Sequence, residues 1–173
     1  FWSVTLTGGH VMDQIRKISE GLKNDIDNPY DSSKPKILFV EGGSQYDIYA
    51  MRSAGIDPAT GKEIFIKKNG EYTFNYDEKE RVAVGNTNPI LQGSLMNTLR
   101  YKGFSISVAT SYTFGSDYFN STLKNKVENI DLNYNVDRRV FTDRWKEPGD
   151  HTRFLGIGTS SSSSQYSERF VEK

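Results

Sequence analysis

Two runs of strictly alternating residues, Leu91–Tyr101 and Phe104–Phe114, constrain this chain more than any other feature. In the second run Phe104, Ile106, Val108, Tyr112 and Phe114 share one parity, and Ser105, Ser107, Ala109, Ser111 and Thr113 share the other. In the first, Leu91, Leu95, Leu99 and Tyr101 alternate against Gln92, Ser94, Thr98 and Arg100. A period of two describes a β-strand with one apolar and one polar face. Only Lys102-Gly103 separates the runs, so they form a hairpin whose glycine supplies a positive φ. The apolar face must then meet either the core of a soluble sandwich or lipid.

Strand length favours lipid. Each run has the roughly 9–11 residues that a tilted strand needs to cross a hydrocarbon layer, whereas strands of soluble sheets cluster near 5 or 6. Tyr101 and Phe104 flank the turn, and Tyr112 and Phe114 stand at the far end. Membrane barrels carry aromatic girdles at both interfaces in this way. The set assigned to lipid is Leu95, Leu99, Tyr101, Phe104, Ile106, Val108, Tyr112 and Phe114, with Arg100 and the serines facing a wet lumen. The longest apolar run, ILFV at 37–40, is far too short for a spanning helix.

Connection lengths agree. A short turn lies between long polar stretches, about 19–88 and 116–165, which matches short periplasmic turns and long extracellular loops. Strands are expected at about 1–12, where Trp2, Val4 and Leu6 alternate with Ser3, Thr5 and Thr7, and at about 167–173. Because both lie at the ends of the chain, a fragment of a larger barrel is expected. Ile15, Ile18, Leu22 and Ile26 recur at helical spacing, weakened by Gly21, with a prolonged strand as the alternative. Within the first loop, Ile64 and Ile66 lead to Asn69-Gly70, and Tyr72, Phe74 and Tyr76 return. This predicts a hairpin with positive φ at both central positions.

Composition removes several chemistries. Lys plus Arg and Asp plus Glu are equal at 22 each, so no global field recruits nucleic acid. The chain has no cysteine, and its two histidines, His10 and His151, lie far apart. No catalytic site, metal site or cofactor is therefore expected. GIDPATGKE (55–63) lacks the spacing and the hydroxyl residue of a phosphate loop and reads as an Asp-Pro turn. The carboxylates of DEKE (77–80) and of 143–150 show no spacing that demands catalysis or calcium.

Several stretches taken in order carry a family resemblance. They are YDIYAMRSAGIDPATGKEIF (46–65), VGNTNP (84–89), YKGFSISVATSYTFGSDYFNSTLKNKVENI (101–130), NVDRRVFTDRWKEPGD (135–150) and SERFVEK (167–173). They resemble the late barrel strands and loops of SusC/RagA-type TonB-dependent outer-membrane transporters. The resemblance implies an all-β, antiparallel transmembrane barrel of about 22 strands with a plugged lumen, of which residues 1–173 are a segment without the plug. It further implies import of glycans, oligosaccharides or peptides across the outer membrane of a Gram-negative bacterium. A SusD-like surface lipoprotein would act as lid and TonB, working through the plug, would supply energy. No bond is made or broken in that role.

On this reading the candidate substrate or lid contacts are Tyr46, Tyr49, Tyr118, Phe119, Asn120, Arg144 and Trp145. Aromatic faces stack on sugars, and asparagine and arginine supply hydrogen bonds. The competing role for Arg144 and Trp145, with Arg138, Arg139 and the Pro148-Gly149 turn, is to pack a long loop onto the barrel rim. Asn86, Asn88 and Asn120 equally suit turn capping, and the serine run Ser160–Ser164 reads as linker. The alternative fold is a free-standing β-sandwich that binds carbohydrate at a cell surface.

Overall fold

The computed structural model describes residues 1–22, 38–130, 133–158 and 166–173. The serine run and Ile26 lie outside the described residues. Strands dominate, and the helices are short: Ser121–Leu123 continuing into a π-helical turn at Lys124–Glu128, and Arg139–Thr142.

The largest sheet is three-stranded and antiparallel, in the order β1–β7–β8, with β1 at Trp2–Gly9, β7 at Leu91–Tyr101 and β8 at Phe104–Phe114. Both long strands have 11 residues, with the limits that alternation predicts, while β1 stops three residues short of the expected Met12. Lys102 (φ 43°) and Gly103 (φ 86°) both take left-handed backbone, so the turn uses positive φ at two positions, not at glycine alone. In register, Leu91 opposes Phe114, Leu99 opposes Ile106 and Tyr101 opposes Phe104, while Leu6 opposes Leu95 and Trp2 opposes Leu99. Directly opposed residues share a face, so all three strands align their apolar parities.

The remaining chain forms small sheets. β2 (Asp47–Ala50) pairs β6 (Val82–Asn86); β3 (Arg52–Ile56), β4 (Glu63–Ile66) and β5 (Tyr72–Thr73) form a meander; β9 (Tyr118–Phe119) pairs β10 (Val171–Glu172). The short helices and the turn at Glu168–Phe170 share a core of Leu123, Val127, Val140, Phe154 and Phe170, with Phe119, Ile130 and Val136 packed against it. Ala50, Met51, Ile56, Phe65 and Tyr166 are also buried.

Three expectations change. The hairpin at 63–76 exists, but its turn closes from Gly70 N–H to the Lys67 carbonyl (2.9 Å), so Lys68-Asn69 are central and only Gly70 (φ 87°) is left-handed. Residues 11–19 are neither helix nor strand, because Ile15 pairs its backbone with Gly42 and Gly43 (both 2.8 Å), and helix starts only at Glu20. At the other end, 167–173 is a turn of 3-10 helix (Glu168–Phe170) before two strand residues, which join β9 instead of the long sheet. A sandwich is also not formed: among the described residues no second sheet covers either face of β1–β7–β8.

Candidate membrane-facing sheet and its loop assembly

One face of the β1–β7–β8 sheet carries Trp2, Val4, Leu6, Leu91, Leu95, Leu99, Tyr101, Phe104, Ile106, Val108, Tyr112 and Phe114. It is bare: Phe104 is 78% exposed, Ile106 61% and Leu99 49%. Patches of this size on a water-facing surface are rare in monomers. Ten residues of rise at about 3.4 Å, tilted by about 45°, give a band near 24 Å between the Tyr101/Phe104 and Leu91/Phe114 rungs. Barrels have an apolar belt of about 25 Å.

Two polar interruptions on this face are paired within the sheet. The Trp2 indole N–H donates to Asn97 Oδ1 (2.8 Å), and Tyr112 donates its hydroxyl to the Thr7 carbonyl (2.6 Å). Tyr112 lies across the strands because Gly93 leaves room: a Cβ there would stand 2.4 Å from the Tyr112 oxygen and 2.0 Å from the Thr7 carbonyl. The opposite face carries Thr7–Ser94 (2.8 Å) and Thr98–Ser107 (3.2 Å) hydroxyl pairs, as a wetted surface would.

The register also sets polarity along the sheet. Gly9, Leu91 and Phe114 lie at one end, and the Lys102-Gly103 turn lies at the other, so both long connections leave from one end. Hydrogen bonds tie the loops to that rim. Asp13 accepts from the Ser44 hydroxyl (2.7 Å) and Gln45 N–H (2.9 Å), and Asp47 accepts from Ser44 N–H and the Asn86 amide (both 2.8 Å). Asp117 accepts from Asn86 N–H (3.0 Å), and the Asn88 amide donates to the Val11 carbonyl (2.8 Å). The Ser44 hydroxyl, followed by Gln45 N–H, holds the Asp13 carboxyl below its ordinary range.

The structure separates the candidate contact residues. Arg144 is 3% exposed and donates to the carbonyls of Leu155 (2.7 Å), Val127 (2.9 Å), Glu128 (3.0 Å) and Gly156 (2.9 Å). Trp145 packs over Gly61 (φ 67°), where a Cβ would stand 2.5 Å from the indole, and donates to the Pro58 carbonyl (2.9 Å). Both side chains tie loop segments to one another, Arg144 to 127–128 and 155–156 and Trp145 to 58–61. Phe119 stacks near Tyr166 (5.3 Å) and Phe170 (6.0 Å) in the core. Tyr118 donates to Glu172, which also accepts from the Asn120 amide (3.1 Å), while Asn120 caps the helix through Leu123 N–H (2.8 Å). The hydroxyl of Tyr118 and then the Asn120 amide hold the Glu172 carboxyl low. Tyr118 and Tyr46 remain exposed at 53% and 42%, and Tyr49 is half-buried, its phenol pushed up by burial and then by Asp47.

The turn residues behave as turn residues. Asp57 accepts from the Thr60 hydroxyl (2.6 Å) and Ala59 N–H (3.2 Å), Asp77 from Lys79 N–H (2.9 Å), and Asp150 from Lys146 N–H (3.0 Å). Among the described residues no cluster of three metal-ligating side chains occurs.

Sequence reading missed a buried charge cluster. Arg169 Nη2 meets Glu63 (2.7 Å) and Nη1 meets Glu128 (2.7 Å); the Ser167 hydroxyl donates to Glu63, and Leu155 N–H to Glu128 (3.1 Å). Burial works against the guanidinium charge, but the two carboxylates outweigh it and raise the Arg169 pKa. Beside it, burial lowers the Lys124 pKa, and its ammonium sits 4.2 Å from the centre of the Tyr166 ring. These partners are 41 and 106 residues apart, so no local pattern announced them.

No protein-family model matches the chain, and no curated protein matches it. Its fold does match solved structures of a transporter. A structure described as that of the RagAB peptide transporter superposes with a TM-score of 0.73 at 20% identity, over 99% of this chain. The RagAB peptide importer in the "closed-closed" state gives 0.69 at 20% identity over the same 99%. In both, this chain spans 19% of the transporter chain. The likeness establishes a shared fold over nearly the whole of this chain.

Proposed function

We propose that this chain is a wall segment and loop assembly of an outer-membrane active transporter. The carrying observation is the uncovered sheet in which three strands align one apolar parity over about the height of a bilayer's apolar core. The likeness to the RagAB transporter structures supports it. Three strands leave two open edges, which hydrocarbon does not tolerate, so further strands must close a barrel, one of about 22 strands in the family that the sequence resembles. The cargo is a peptide or oligosaccharide moved unchanged, with a SusD-like lipoprotein above the loops and TonB acting through a plug. The loops leave the end of the sheet opposite Lys102-Gly103, which makes that turn periplasmic.

The chain has no cysteine, so single cysteines report unambiguously within it. In the full-length barrel in outer membranes, cysteines at Phe104, Ile106 and Val108 should react with a lipid-soluble maleimide. Those at Ser105 and Ser107 should react with a water-soluble one entering the lumen. The reverse pattern, or equal aqueous labelling of both parities, overturns the reading.

A further inference from the structure

The apolar face is not smooth. Trp2, Asn97, Leu99, Ile106 and Val108 line an open depression of about 460 Å³, within the roughly 300–1,000 Å³ of pockets that take small ligands. Its one polar side chain, Asn97, has its carbonyl oxygen covered by the Trp2 indole N–H (2.8 Å). The rest of the lining is hydrocarbon and indole. Nearer the turn, on the same face, the Lys102 ammonium lies 5.4 Å from the centre of the Tyr101 ring. The site thus has direction: a cation and a phenol at the turn, then an apolar trough two to four rungs further along the strands.

We propose that this trough is a seat for one anionic phospholipid of the leaflet at the turn. Its phosphate pairs with Lys102 and one acyl chain lies along Leu99, Ile106 and Val108 beneath Trp2. Charge complementarity selects the occupant. A second protein's apolar surface would leave Lys102 facing hydrocarbon, whereas a phosphate at the interface neutralises it where lysines reach the headgroup layer. An acyl chain also fits an open-ended trough without polar ends to satisfy. The seat rests on the lipid-facing reading above.

The test is native mass spectrometry of the full-length barrel released from nanodiscs of equal phosphatidylglycerol and phosphatidylethanolamine. One phosphatidylglycerol should be retained preferentially. Lys102→Asn removes the charge, while asparagine tolerates the left-handed turn backbone; it should cut that retention several-fold and abolish the headgroup preference. Ile106→Trp, which fills the trough, should cut retention with either headgroup. Unchanged retention in both variants, or a wild-type barrel without headgroup preference, overturns the seat. The outcome is kept separate from the wider reading by labelling the Phe104 cysteine in the same nanodiscs. Reaction with the lipid-soluble probe together with unchanged retention rejects the seat alone.

Discussion

At the residue scale the loop assembly hangs on Arg169. Its guanidinium bridges Glu63 of β4 and Glu128 of the π-helical turn, both almost fully buried, and so joins three distant pieces of chain. Removing one partner of a buried pair leaves uncompensated charge, which costs about 3–5 kcal/mol. Arg169→Met strands two carboxylates and should destabilise the loops by about that amount, with protease cleavage between 120 and 158 as the readout. Cleavage no faster than in the parent protein would show that the carboxylates find other partners. The Arg144 position shows what was legible at this scale. Its place beside Trp145 in a polar loop marked both residues as special, and in the structure Arg144 donates to four carbonyls of neighbouring loop segments. A sequence reveals residue types that interact strongly; it does not show whether the partner is a ligand or the chain's own backbone.

At the element scale the β7–β8 hairpin was almost wholly legible. Period-two alternation fixes which residues share a face, and a two-residue turn leaves one register that keeps Tyr101 opposite Phe104. The short loop strands were not legible in the same way, because Asp47–Ala50 and Val82–Asn86 pair across the 31 residues between them (51–81) and carry no alternation of their own. Gly93 interrupts the apolar parity of β7. In the structure it is the floor on which Tyr112 lies to reach the Thr7 carbonyl. An added methyl would press on both, and overpacking costs about 1–3 kcal/mol. Gly93→Ala should therefore lower the denaturant midpoint of the full-length protein in bilayer vesicles. Gly9→Ala, whose added carbon meets only the Gln92 carbonyl at 3.9 Å, should leave it unchanged. Equal effects of the two substitutions would mean that the cost is general to glycine in these strands.

At the scale of the whole molecule, the question is how a wetted loop assembly is fastened to a sheet that is bare on both sides. The attachment is polar and local: Asp13 just past β1, Asp47 in β2, Asn86 in β6 and Asp117 just past β8 close a belt of hydrogen bonds at one end of the sheet. One corner of this belt depends on pH, through Asp13. The Ser44 hydroxyl and the Gln45 N–H lower its pKa below the ordinary 3.8. A carboxyl whose pKa is lower folded than unfolded stabilises the fold fully above 3.8 and loses that contribution as pH falls through the lowered folded value. Acid should therefore unfasten the loops at the Asp13 corner before it disturbs β7 and β8, whose ladder contains no carboxylate. Hydrogen exchange of the Gln45 amide, corrected for its intrinsic pH dependence, should lose protection below that range while the Val108 amide keeps it. Asp13→Ala at neutral pH should reproduce the loss. Protection at Gln45 that is independent of pH and survives Asp13→Ala would place the fastening elsewhere, in the backbone pairing of Ile15 with Gly42 and Gly43.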